Sequence, residues 1–164
     1  MRCPNSSCPA QLRRRLQHFA SKSCVDIAGL GPATVDTLAT RGLVKNVADL
    51  YRLRRADLLA APRLGEASAD ALLAALERSK RAELWRFING LSIPHVGAAT
   101  AKELARKFGS LDQLAGAPLG QLTPVVGEAS AEAIVRHFAE PQNRAVVEEL
   151  QATGVRPEAP KRDP

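Results

Sequence analysis

Apolar residues recur three and four apart along most of the chain, the spacing of buried helix faces. Leu12, Leu16 and Phe19 share one face of a predicted helix over 11–19. Val35, Leu38 and Ala39 form the stripe of a second helix, for which Gly42 is a stop. Asn46, with Asp49 three residues on, reads as a helix start that leads into Val47, Leu50 and Tyr51. A short helix over 57–61 ends at Pro62, and Ala69, Leu72, Leu73 and Leu76 mark a long one over 66–81. Trp85 and Phe87 lie in a helix over 82–91; either ring could stack on a base, but core anchoring is the plainer role. Further helices are predicted over 98–108, after Ser110 with Gln113, over 128–139 and over 141–153. The pattern is all-α.

The helices are not independent, because one stretch returns. Aligned on Gly31, Gly65, Gly97 and Gly127, the chain repeats at spacings of 34, 32 and 30 residues. An apolar residue precedes each Gly: Leu30, Leu64, Val96, Val126. Ala stands two after it, and a hydroxyl three after it: Thr34, Ser68, Thr100, Ser130. A large aliphatic stands seven after it, two turns into the helix that follows: Leu38, Leu72, Leu104, Ile134. Each unit is therefore a tight Gly turn that opens a helix, and Pro32 marks the first such start. A helix start carries unpaired N–H groups and partial positive charge, which suit phosphate.

The units differ two residues before the aligned Gly. Gly29 stands there in the first, and Arg63, His95 and Val125 in the others. A branched or bulky residue there resists left-handed backbone, so the Val125 unit is the best candidate for a purely structural one. The candidate phosphate contacts are Gly29, Gly31, Thr34, Arg63, Gly65, Ser68, His95, Gly97, Thr100, Gly127 and Ser130. For the hydroxyls, internal helix capping competes with phosphate contact. A solvated role competes at Arg63, and a packed or surface role at His95.

Gly29-Leu30-Gly31 between two helices resembles a helix-hairpin-helix motif. Four in tandem resemble the helix-hairpin-helix domain of bacterial NAD-dependent DNA ligases. That family's order is followed by Cys3-Pro4-Asn5-Ser6-Ser7-Cys8-Pro9-Ala10-Gln11, by His18-Phe19-Ala20-Ser21-Lys22 and by Asp26-Ile27-Ala28-Gly29-Leu30-Gly31. Ala48-Asp49-Leu50-Tyr51, Ser79-Lys80 and Phe108-Gly109-Ser110-Leu111 continue it, so the resemblance covers residues 2–156. It implies a SAM-like, RuvA-domain-2-like array of four hairpins over 25–156. A partial zinc-finger segment and connecting helix precede it over 1–24, and a linker follows over 157–164. In such a parent, adenylation and OB-fold domains lie upstream and a BRCT domain beyond the linker. The parent uses NAD with magnesium, holds zinc, and seals nicked double-stranded DNA in replication and repair. Three cysteines, an odd count without a disulfide framework, are consistent with a reducing cytosol, and a monomer is expected.

Charge agrees with a polyanionic partner: the net charge is +6 and the pI about 9.7. Aromatic content is only 4%, so the core must be aliphatic. No apolar run reaches the roughly 18 residues of a membrane helix. Cys3 and Cys8 have the spacing of half a zinc site. The resemblance places the other two ligands upstream, which leaves this half incomplete and no cofactor expected in the chain itself. A self-contained site from Cys3, Cys8, His18 and Cys24 is the alternative. The Lys-x-Asp-Gly motif that takes AMP in the ligases is absent, since the chain contains no Asp-Gly. The expected role is sequence-independent duplex binding through backbone phosphates, with no catalytic residue in this chain. Two other classes compete: a helical protein-interaction module, and a helix-hairpin-helix DNA glycosylase, whose Gly-Pro-Asp-like stretch is not found. Glu66 and Glu128, at two helix starts, argue mildly for protein docking over DNA.

Overall fold

The computed structural model describes residues 9–60 and 64–158. Cys3, Cys8 and Arg63 lie outside them. Ten α-helices follow in order: α1 Pro9–Ala20, α2 Pro32–Thr40, α3 Arg55–Leu59, α4 Glu66–Ser79, α5 Leu84–Gly90, α6 Ala98–Lys107, α7 Leu111–Ala115, α8 Leu119–Val126, α9 Glu128–Ala139 and α10 Pro141–Ala152. The helix expected after Asn46 is a 3-10 helix, Val47–Arg52, and Asn46 accepts the Asp49 amide as anticipated. No strand forms among the described residues.

One helix escaped the sequence pattern. No helix is predicted between that after Ser110 and that over 128–139, yet α8 forms there with Pro124 inside it. The proline removes one ladder bond near the C-terminal end of this eight-residue helix. Leu122, the apolar residue two before it, is fully buried and holds the helix down.

A single apolar core runs through all the hairpins. Its centre is the contact between α1 and α5, the lead helices of the first and third repeats. Phe19 and Phe87 are both fully buried and meet edge to face, 5.8 Å between ring centres. Phe19 also meets Tyr51 edge-on at 6.4 Å. Gly90 lets α5 come this close, because a Cβ there would stand 2.9 Å from the Phe19 ring. Phe87 is thus a core residue. Trp85 is only partly buried, with the Arg86 guanidinium and Lys102 ammonium 4.6 and 4.7 Å from its ring centre.

The C-terminal helix closes the domain back onto its first half. Glu149 on α10 accepts from Asn46 and Arg52, about a hundred residues earlier, at 2.9 and 3.2 Å. Beyond α10 the backbone pairs with the α4–α5 connection: Arg156 N–H with Lys80 O, Glu158 N–H with Ala82 O, and Leu84 N–H with Glu158 O. The docked chain thus runs through Glu158, two residues into the stretch read as linker.

His137 ends α9 against the Phe138 ring, 4.9 Å between centres, and burial and then the Arg15 charge push its pKa down to about 4. The unfolded chain takes up this proton below about pH 6.5, whereas the folded protein resists it until about pH 4. Stability present at neutral pH is therefore lost as pH falls through that window. Urea midpoints of wild type and His137→Leu at pH 7 and pH 4.5 check this. The variant is expected to lose less on acidification, and equal losses would contradict the linkage.

Candidate nucleic-acid interface

The four aligned glycines fall on one kind of position. Gly31, Gly65, Gly97 and Gly127 are the N-cap residues of α2, α4, α6 and α9. Each helix makes its first backbone bond from the fourth helical residue back to that glycine: Val35, Ala69, Ala101 and Ala131 donate at 2.9–3.0 Å. No side chain caps any of the four. Among the described residues, the amides of Ala33 and Thr34 on α2 meet no protein acceptor, nor do those of Ala98, Ala99 and Thr100 on α6. All four glycines are exposed. These helix starts leave amide donors without a protein acceptor.

Why glycine stands there is not explained from inside the protein. Gly31, Gly65 and Gly97 have φ of −79°, −85° and −99°, which any residue can adopt. A Cβ at any of them would meet nothing within 4 Å. Neither conformation nor packing demands glycine at these three sites, so the room it leaves is room for a group outside the chain. Gly127 differs, with φ +86°.

Backbone handedness sorts the turns further. In the first repeat Asp26 and Gly29 are left-handed, at φ +55° and +95°. In the third, Ser92 and His95 occupy the same two places relative to the aligned Gly, at +59° and +66°. These two turns share one backbone signature. In the fourth repeat Val125 is helical, α8 runs on to Val126, and Gly127 alone makes the reversal. This fits the reluctance of a branched residue to turn left-handed. The two Glu residues extend the division: Glu66 and Glu128 lie in the first turns of α4 and α9, whereas those of α2 and α6 carry no acid. Arg55 offsets the second site in part, reaching Asp70 at 2.8 Å and Glu66 at 3.8 Å. The first and third N-termini are therefore the more receptive to an anion.

The hydroxyls do not cap their helices, since the N-cap is glycine in every case. Ser130 Oγ instead donates to His95 O at 3.2 Å. Thr34, Ser68 and Thr100 make no hydrogen bond of this kind among the described residues. The first turn is held by residues that sequence reasoning passed over. Arg86 donates to Lys22 O and Cys24 O at 2.9 and 3.0 Å, and Asn89 to Ser23 O at 2.8 Å. Those partners lie more than sixty residues away, so no local pattern reveals them.

Of the self-contained metal set, His18 and Cys24 do come together, but for another purpose. His18 Nε2 donates to Asn89 O at 2.8 Å and lies 3.4 Å from Cys24 Sγ. A nitrogen that donates to a carbonyl has no lone pair for a metal. Burial raises the Cys24 thiol pKa, which disfavours the thiolate a metal needs. His18 Nε2 is committed to the carbonyl. Among the described residues, no three His, Cys, Asp or Glu side chains cluster to hold an ion. No helix among them is long and apolar enough to cross a membrane.

Four Gly-opened helices in successive hairpins define the class: this is a tandem helix-hairpin-helix domain. The family described as SAM-like helix-hairpin-helix tandem matches residues 24–78, and that described as helix-hairpin-helix motif matches 86–147. Over 98% of its length the chain is 55% identical to DNA ligase 1 of Opitutus terrae, covering 25% of that protein. It is 44% identical to a DNA ligase of Methylacidiphilum infernorum over 94% of its length, and 46% identical to one of Myxococcus xanthus over 98%. The chain is homologous to these DNA ligases and spans about a quarter of their length.

The contrast between the glycines has a direct test in stability. Gly127→Ala is expected to cost about 1–2 kcal/mol, because alanine is forced left-handed. At Gly31 a weaker N-cap and a stiffer unfolded chain roughly offset, so Gly31→Ala should change stability by less than about 0.5 kcal/mol. Urea denaturation of the two variants checks the difference, and equal losses would contradict it.

Proposed function

We propose that this chain holds double-stranded DNA by its backbone phosphates, without reading base sequence, as the DNA-gripping part of an NAD-dependent ligase that seals nicks. The observation that carries the reading is the pair of N-cap glycines on α2 and α6. They are exposed, ordinary in φ and free of neighbours where a Cβ would stand, and they front unpaired amides. An amide donor sees phosphate oxygen alike at every base pair, so such contacts position a duplex and carry no sequence information. The net charge of +6 supports association with a polyanion. The first and third hairpins are assigned the stronger grip, and the second and fourth, each with a Glu in its first turn, the weaker one.

The ligase reaction itself is assigned to other parts of the parent. NAD and magnesium serve there, since no residue of this chain forms the AMP-accepting motif. Zinc belongs to the segment that includes Cys3 and Cys8, together with ligands supplied from elsewhere. Replication and repair follow from the same family reading; the odd cysteine count supports a cytoplasmic setting, and a monomer is expected.

Aspartate at an N-cap separates grip from fold. It caps a helix better than glycine does, so Gly31→Asp should leave α2 intact. Its carboxylate would also occupy the phosphate's place. Duplex affinity of Gly31→Asp is expected to fall by about 1–3 kcal/mol, with unchanged circular dichroism and melting. Gly65→Asp, beside Glu66, should lose less. For wild type, affinity should fall with salt at about 0.9 counterion per phosphate held, alike for two unrelated duplexes. Salt-independent binding, or full affinity in folded Gly31→Asp, would favour a protein-docking role instead.

A further inference from the structure

We propose that Ser130 is a positioning residue for the third hairpin: it clamps the turn that presents the α6 N-terminus, rather than touching a phosphate itself. This rests on the phosphate-gripping reading of that hairpin. Ser130 is the third residue of α9, and its Oγ donates to the carbonyl of His95, 35 residues earlier, at 3.2 Å.

His95 needs such a partner. It carries a side chain at φ +66°, where L-residues are disfavoured. Gly29, at the matching place in the first turn, sits left-handed without that penalty. The two turns are also braced differently. The first has three carbonyls held by Arg86 and Asn89 from α5. In the third, Val96 N–H bonds back to Ile93 O, and the Ser130 hydroxyl is the side-chain brace on His95. His95 and Gly97 are two residues apart, so a change in the turn shifts the direction of the α6 amides. Loosening it means the turn must be ordered each time a phosphate binds, which costs affinity.

The fourth hairpin thereby acquires a role its own N-terminus does not supply. Gly127 reverses the chain sharply and Glu128 repels anions at its helix start, yet the same turn delivers Ser130 to its neighbour. The hydroxyl common to all four repeats is here directed to a carbonyl of the adjoining hairpin.

A double-mutant cycle tests this, with binding read by anisotropy of a labelled duplex. Ser130→Ala is expected to weaken binding about three- to tenfold, the scale of one lost hydrogen bond, with little change in melting. Ser130→Thr should retain most of the affinity. In a Gly97→Asp background, where the α6 site is blocked, Ser130→Ala should change binding less than twofold. In a Gly31→Asp background it should keep its full effect. Without DNA, hydrogen exchange at the Val96 amide, which bonds to Ile93 O, should quicken in Ser130→Ala and stay as in wild type in Ser130→Thr. Equal losses from Ser130→Ala in both backgrounds would mean that Ser130 meets DNA directly and would overturn the proposal. Unchanged exchange at Val96 would overturn it as well. Full binding by a folded Gly97→Asp would instead remove the phosphate reading of this hairpin, and exchange would then report on the clamp alone.

Discussion

The contact between α1 and α5 is the constraint on which the other parts depend. Two lead helices from different halves of the chain are held by Phe19 against Phe87, in a space that exists because residue 90 has no side chain. The same helix α5 then turns Arg86 and Asn89 onto the carbonyls of 22–24, just beyond the end of α1. A cationic side chain on such carbonyls is favoured twice, by hydrogen bonding and by the helix dipole. Packing and polar bracing thus act through one helix. The first hairpin's turn cannot move independently of the third hairpin's lead helix.

From that joint the hairpin ends point outward, which divides labour along each unit. The aliphatic residues two turns into each helix, Leu38, Leu72, Leu104 and Ile134, are buried and fix the helix. The glycine at its start is exposed and leaves its amides open. Two turns with the same left-handed signature carry no acid at the helix start. The other two helices start with Glu66 and Glu128, and the fourth turn makes its reversal differently. An array of four similar units therefore offers two unequal pairs, and the fourth unit serves the third through Ser130.

Much of this was legible in the sequence, because each repeat keeps its own short-range requirements. A glycine before a helix, an apolar residue before it and an aliphatic two turns on are local features, and the four N-caps fell on the four aligned glycines. Val125 read correctly as incompatible with a left-handed turn. What stayed hidden was long-range or permitted by context. The helix before the fourth Gly turn, α8, was not expected; Pro124 lies inside it, and the buried Leu122 anchors it. Asp26 and Ser92 give no sign of left-handed backbone in a residue pattern, and His95, a bulky residue expected to resist it, takes it all the same at φ +66°. The clamps from Arg86, Asn89 and Ser130 join residues 35 to 66 positions apart and follow only from how the helices pack. His18 and Cys24, named only as half of an alternative zinc set, do meet, and the His18 ring N–H donates to the Asn89 carbonyl.

The central claim is that open helix amides are the DNA contacts, and amide shifts on titration with a duplex test it most directly. Two-dimensional amide spectra recorded during addition of an unmodified duplex should show the largest changes at Ala33, Thr34, Ala98, Ala99 and Thr100. Those signals should move together with one affinity and return when salt is raised. Smaller changes are predicted at Glu66, Ala67, Glu128 and Ala129. Largest changes around the exposed Leu119 of α8 and Val135 of α9, with the α2 and α6 amides unmoved, would contradict the account.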